Sequence, residues 1–420
     1  MSRFKPYSPE QAYLLPPSVR DVLGEGHLCF FVQKMVARLD LSEFEAAYGD
    51  LGGELYAPAM MLSVWLYAYA IGLTSARELE RRIREDLALR YLAGGAEPKD
   101  WSLSAFRRTH KRGLNTAFTQ VLEFVRELGL AKLGILAVDS SRIKANNSKS
   151  RVDSRERLRK ERAKLRRQIR AWQKQCDAEQ NAVPASLAAA ELEQLQQKLA
   201  AMPSRLQELK KSGEKRLPRT DGEARVLTKR RQSVVGYTAD LAVSEDQFIV
   251  GQRVTQANTD NSSLQPMVEE VRQNCGGKPE KVTADSGFYS NANLRAMEEQ
   301  NIEAYIPDSN LAAALNKGKR VKGRARAPEM KRMRAKLRTA EGRSLYGKRK
   351  GMVEGVFGVL KTERDLHRFR LRGLAKVGIE FTLAALAYNL THLQAEQDSN
   401  SALWQRRRAR DRKVQAGGGR

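Results

Sequence analysis

Cysteine and histidine are scarce here: three cysteines and four histidines in 420 residues. Cys29, Cys176 and Cys275 stand far apart, and no CxxC pair occurs. That pattern excludes a disulfide scaffold and a structural zinc centre, and it fits a reducing compartment. His27, His110, His367 and His392 show no ligand spacing, so any metal has to be held by carboxylates. The start has no charged-then-apolar leader, and a cytoplasmic, nucleoid-associated protein is expected. Long apolar runs are lacking too. The most apolar stretch, Ala57 to Leu73, contains a proline and a serine, is shorter than a usual span and runs into a charged segment. It is expected as a buried helix, with no membrane partner. Acid is in deficit: 49 acidic against 75 basic residues leave a net charge of +26. Such a charge favours a polyanionic partner, nucleic acid before membrane, with a merely basic or ribosome-associated protein as the competing reading. The length allows one large core or two to three smaller ones.

Residues 1 to about 130 read as helical. Ser8-Pro9-Glu10 and Pro16-Pro17-Ser18 punctuate the start, and His27 to Leu39 carries apolar residues at helical spacing. Ser75-Ala76-Arg77-Glu78 is a capping box opening one helix, ELERRIREDLALRYL, which Gly94-Gly95 ends. The next helix, Trp101 to Arg112, ends in Arg107, Arg108, Lys111 and Arg112. This pair of helices fits a helix-turn-helix unit or plain helical packing with a basic outer face.

Ile135 to Asp139 is a short apolar run stopping on a carboxylate, and reads as a buried central strand. Residues 151 to about 215 are rich in charge, with a break at Asn181-Ala182-Val183-Pro184, and read as two antiparallel helices forming an inserted arm. Strands resume at Ser233 to Val243 and Gln247 to Gln256, joined by Ser244-Glu245-Asp246. Lys281 to Asp285 is a second strand ending on a carboxylate, and Ile302 to Ile306 a further one. Alternation of strand and helix predicts an α/β core. Residues 316 to 350 read as a basic connection, Ile379 to Leu393 as an amphipathic closing helix, and Trp404 to Arg420 as a disordered basic tail.

In Tyr346 to Leu374, the residues Val353, Val356, Phe357 and Leu360 form one helical stripe, with Glu354 on its edge. Lys350 and Lys361 project from roughly the same side. A solvated face with Lys/Glu pairs fits this equally. Asp139 and Asp285, at predicted strand ends, complete a set of three carboxylates. Hard oxygen ligands of that kind suit Mg²⁺ or Mn²⁺, and two such ions suit attack on a phosphodiester.

The segments LAVDSSRIKA, VTADSGFYS and YGKRKGMVEGVFGVLK resemble the three acidic segments of the DDE transposases of bacterial insertion sequences. The last is similar to their Y-R-E-K signature: Tyr346-x-x-Arg349, then Glu354, then Lys361 after six residues. Arg349 lies one residue further from Glu354 than the signature has it, and Lys350 stands at the expected place; either is the signature's basic residue. The resemblance covers nearly all the chain except the insert and the tail. It implies an α/β, RNase H-like catalytic core, a mixed sheet flanked by helices, at 131–395. That core is interrupted at 150–220 by a charged helical pair. A helical, DNA-end-binding domain at 1–130 precedes it, and a tail at 396–420 follows. It implies Asp139, Asp285 and Glu354 as ligands of paired Mg²⁺ ions, with Mn²⁺ as substitute. Tyr346, Arg349, Lys350 and Lys361 become DNA contacts. The implied substrate is double-stranded DNA, transposon ends and target, bound by a homodimer that cleaves and transfers strands. A nuclease of the same fold, or an inactive DNA-binding repressor, are the alternatives.

Overall fold

The computed structural model describes residues 18–48, 55–148, 150–178, 185–229, 232–317 and 320–399. The punctuation at Ser8-Pro9-Glu10 and Pro16-Pro17, the break at Asn181 to Pro184 and the tail beyond Ser399 lie outside them. The chain divides into two compact units. One comprises Met1–Lys132, Gly358–Asp365 and Thr382–Arg420; the other comprises Leu133–Phe357 and Leu366–Phe381.

The first unit is helical: α1 (Val19–Val22), α2 (Leu28–Val36), α3 (Ser42–Glu45), α4 (Pro58–Ala70), α5 (Ala76–Glu85), α6 (Leu87–Leu92), α7 (Asp100–Thr109) and α8 (Lys111–Glu127). Pro58 starts α4 where a missing N–H costs nothing, and Met61 through Tyr69 are buried, as the apolar run requires. No helix among the described residues is long and apolar enough to cross a membrane. The Ser75 hydroxyl accepts from Glu78 N at 3.5 Å and opens α5. The single helix expected over ELERRIREDLALRYL is in fact two. Asp86 turns extended, and its carboxylate accepts from Ala88 N (2.9 Å) and Leu89 N (3.1 Å), starting α6 afresh. Arg107 is not part of a basic outer face either. It is buried, donates to Tyr69 Oη and Thr74 O at 2.8 Å each, and lies 4.4 Å from the centre of the Trp65 ring. Arg108, Lys111 and Arg112 stay exposed.

The second unit holds the eight strands found among the described residues: β1 (Ile135–Lys144), β2 (Val152–Asp153), β3 (Leu217–Pro218), β4 (Arg225–Lys229), β5 (Gln232–Ser244), β6 (Ile249–Thr255), β7 (Lys281–Ala284) and β8 (Glu303–Tyr305). Six form a mixed sheet in the order β4-β5-β1-β7-β8, with β6 also paired to β5. β1 runs antiparallel to β5 and parallel to β7, so it lies centrally. Its first four residues are buried, the apolar run expected of an inner strand. β1 does not end at Asp139, however. Antiparallel pairing to the long β5 carries it on to Lys144.

Among its described residues the insert has three helices, not two: α9 (Arg155–Ala178), α10 (Ala185–Ala200) and α11 (Met202–Lys211). The chain turns at Ala201, and Pro203 then sits in the first turn of α11, where proline is tolerated. Leu158, Leu165, Met202 and Leu209 form its own small core, with Leu195, Leu199, Leu206 and Leu217 against it. α12 (Leu264–Cys275) and α13 (Asn291–Glu299) follow β6 and β7. The expected basic connection at 316–350 is largely helical: α14 (Ser309–Lys317), α15 (Pro328–Lys336) and α16 (Ala340–Arg349). Arg334 on α15 explains part of this, since it is buried and pairs with Asp308 at 2.7 Å instead of facing solvent. A π-helical turn (Lys350–Glu354) then leads into α17 (Gly355–Thr362), and α18 (Leu374–Ser399) closes the chain. α18 is longer than expected and not amphipathic: Ile379 through Leu390 are all buried. Its buried Glu380 accepts from Arg370 N and Leu371 N, at 3.0 and 2.8 Å.

Candidate active site

The parallel register of β1 and β7 runs from Ile135 beside Lys281 to Val138 beside Ala284. One residue beyond the last of these pairs stand Asp139, within β1, and Asp285, just past the end of β7. Neighbouring strands are about 5 Å apart, so the register alone sets these two aspartates side by side on one face. Asp139 Oδ1 accepts from Ser140 N at 2.8 Å, and Asp285 Oδ1 from Gly287 N at 2.7 Å. The second bond orients the aspartate through the tight Asp285-Ser286-Gly287 turn. Gly287 is needed there: a Cβ on it would lie 2.7 Å from Asp260 Oδ2 and 2.9 Å from Asp285 Oδ1. Asp260 therefore flanks Asp285 as a further carboxylate. Beyond it, the fully buried Asp240 accepts from Ser140 Oγ at 2.5 Å.

Glu354 arrives by a different route. The stretch from Lys350 to Glu354 winds as a π-helix, whose wider turn brings residues i and i+5 together in place of i and i+4. Arg349 Nη2 accordingly meets Glu354 Oε1 at 2.9 Å, while its Nη1 reaches Asp139 Oδ2 at 2.9 Å. One guanidinium thus bridges two carboxylates that are 215 positions apart in sequence (354 − 139). Burial works against charge on Arg349 more than any other single influence. Asp139, Tyr346, Glu354 and Asp285 together outweigh it and hold its pKa above the ordinary value. All three sequence-predicted carboxylates therefore bear on one buried cation. Tyr346 lies beside it, the guanidinium carbon 5.9 Å from the ring centre, and burial pushes the phenol up.

A plain α-helix sets Lys350 beside Glu354, but the π turn hands that place to Arg349. Lys350 is exposed. It still lines the same cavity of about 420 Å³ as Asp285, Ser286, Tyr346, Arg349 and Glu354. Lys361, on α17, is half-buried, falls in the other compact unit and does not line this cavity.

The donor set of hard carboxylate oxygens suits a divalent cation such as Mg²⁺ and offers nothing to soft metals. Among the described residues, though, no three acidic, histidine or cysteine side chains are grouped closely enough to hold a metal ion. The positive charge between Asp139 and Glu354 is supplied by Arg349. Asp260, Gly287 and the Asp240–Ser140 pair were not singled out from the sequence. The signal that could have found Gly287 is its place in the Asp-Ser-Gly turn after β7, since glycine suits a close approach.

Residues 201–390 match the Transposase DDE domain model, and residues 17–109 match the Transposase domain (DUF772) model. The first match contains Asp285 and Glu354 but begins after Asp139. No curated protein and no solved structure matches the chain. The two matched models are the pair typical of bacterial insertion-sequence transposases, whose partner is DNA and which generally use divalent metal ions. Two separate stretches of sequence thus name the same kind of protein: the chain carries matches to the two transposase domains typical of bacterial insertion-sequence transposases.

Proposed function

We propose that this transposase binds the terminal inverted repeats of its element and catalyses metal-dependent strand cleavage and strand transfer. The carrying observation is the convergence of Asp139, Asp285 and Glu354 on the single buried charge of Arg349. Asp139, Asp285 and Glu354 are the residues that hold the ions in this reading. Two Mg²⁺ ions, replaceable by Mn²⁺, would activate the attacking water or 3′-hydroxyl and stabilise the leaving oxygen. Arg349 keeps the carboxylates apart and neutralised until then. A second cation between them requires it to release at least one, and its fork geometry then suits a DNA phosphate. Its Nε is buried without a hydrogen-bond partner among the described residues. Tyr346, Lys350 and Lys361 are the further DNA contacts.

The mixed sheet, antiparallel on one side of β1 and parallel on the other, supports an RNase H-like core. The same reading assigns end recognition to residues 1–130 and catalysis to 131–395, interrupted at 150–220. Residues 396–420 form the tail, and a homodimer forms on DNA. The test uses Glu354→Gln, which keeps size and removes charge. Folding and end binding should survive, while nicking of end-bearing duplex and joining of the 3′ end should both fall by orders of magnitude in Mg²⁺. Nicking at the unaltered rate would make Glu354 structural. Wild-type nicking without joining would reduce the protein to a nuclease, and end binding without either to a repressor.

A further inference from the structure

We propose that the exposed face of α9 is a docking surface for the phosphate backbone of duplex DNA, separate from the carboxylate site. The inference rests on the reading of the chain as a DNA-acting transposase, and adds a second contact surface to it.

One side of α9 is committed to packing. Leu158, Leu165 and Ile169 are buried at heptad-like spacing, and the first two join Met202 and Leu209 in the core of the insert. The exposed flank beside that seam is basic. Arg155, Arg159, Arg162, Arg166 and Arg170 recur at intervals of four, three, four and four, so they run as one line along the helix, with Arg167 beside it. All six are exposed. None of the six forms an ion pair among the described residues.

The acidic groups nearest the row are paired with other cations. Glu161 and the buried Asp153 face inward and share Arg205 and Arg219, at 2.6 to 3.1 Å. Glu156 is taken up by Lys160 at 2.6 Å. Burial pushes the Asp153 carboxyl up, but the two arginines outweigh it and hold it below the ordinary range. Asp153 and Glu161 thus sit at the root of the insert, while a row of cations faces out along α9. That root fastens α9 to α11 and to the β2–β3 pair, so the row is carried on an anchored helix.

From Arg155 to Arg170 the row spans about 22 Å at the usual helical rise, the length of about six phosphates along one strand. Arginine suits phosphate geometrically as well as electrostatically. A line of exposed guanidiniums with no interleaved aromatic fits the backbone of a duplex and carries no sequence readout. A self-repelling row costs stability, and only a polyanion seated on it offsets that cost.

The test compares the full-length wild type with Arg159→Gln/Arg162→Gln/Arg166→Gln/Arg170→Gln, in binding to a duplex of arbitrary sequence over a range of salt. Four lost phosphate contacts should reduce the slope of log K against log salt by about 3 to 4, since each contributes about 0.9. Affinity at moderate salt should fall at least tenfold, and the corresponding four-lysine variant should restore most of the slope. Helicity by circular dichroism should be unchanged in both. Nicking at saturating DNA should persist in the glutamine variant, which separates this surface from the catalytic reading. A glutamine variant with unaltered slope and affinity would overturn the proposal, whether or not the wild type cuts DNA. A change in oligomer mass without a change in DNA binding would also overturn it, and would assign the face to a second copy. Loss of the slope in a protein that never nicks would leave this surface standing and remove the catalytic reading instead.

Discussion

Replacing Arg349 by Met keeps most of the side-chain stem and removes the guanidinium that Asp139 and Glu354 share. In metal-free buffer the two arms of that bridge contribute unequally. Arg349 and Asp139 side chains are 9 % and 17 % exposed, so their charge-assisted bond is largely shielded from solvent. Such a bond contributes about 1.5–3 kcal/mol. The Glu354 side chain is 48 % exposed, so solvent screening reduces that arm to well under about 1 kcal/mol. Removing the cation also leaves Asp139 and Asp285 facing each other on adjacent strands. On the other side of the ledger, the desolvation of Arg349 and its partnerless Nε disappear with it. The net is a loss of about 2–3 kcal/mol. At about 2–4 °C per kcal/mol for a unit of this size, the metal-free melting temperature should drop by about 4–12 °C.

Mg²⁺ should reverse this. An ion bound only to the native form contributes about 1.4 kcal/mol at ten times its dissociation constant. In the variant the ion has no guanidinium to displace, so the Mg²⁺-induced rise in melting temperature should exceed that of the wild type. Thermal unfolding by circular dichroism, in chelator and then over a Mg²⁺ titration, measures both quantities. Equal melting of the two proteins in chelator would refute the energetic argument. A Mg²⁺ shift no larger in the variant would refute the idea that Arg349 and the ion compete for the same carboxylates.

Three other outcomes follow from particular contacts. Gly287→Ala should lower nicking at least tenfold and destabilise by about 1–3 kcal/mol, because its Cβ meets Asp260 and Asp285 oxygens; matched denaturation and nicking assays check this. Glu270 is pushed up by burial to about 7 from an ordinary 4.5, against the opposing bond from Gln252 N. The stability it contributes is fully present below pH 4.5 and is lost as pH rises through about 7, so Glu270→Gln should gain on the wild type in urea melts between pH 5 and pH 8. Arg205→Ala should leave Asp153 buried with Arg219 alone; hydrogen exchange should quicken across α9 to α11 while β1 and β7 keep their protection.

The sequence by itself determined what depends on near neighbours. An apolar run of four residues predicted β1, helical spacing predicted α2, and the pairing of β5 with β6 followed from the turn between them. Composition alone pointed to hard carboxylate chemistry, because cysteine and histidine were too few to offer another ligand set. The charge excess pointed to a polyanion without saying which surface meets it. Tertiary structure decided the rest. Where β1 stops depends on the length of its partner β5, which no local pattern in Ile135–Lys144 encodes. Asp139 and Asp285 become neighbours only through the parallel register of strands far apart in the chain. The choice between Arg349 and Lys350 turned on a π turn. A helix accepts the extra residue when packing on both sides of it fixes the ends, and a search for i, i+4 partners overlooks it. Arg107 and Arg334 read as surface charge because arginine is seldom buried, and each lies inside because a hydroxyl, a carbonyl or an aspartate waits there. Local spacing set which elements form. Only long-range contacts set which charges face each other, because an electrostatic partner can come from anywhere in the chain.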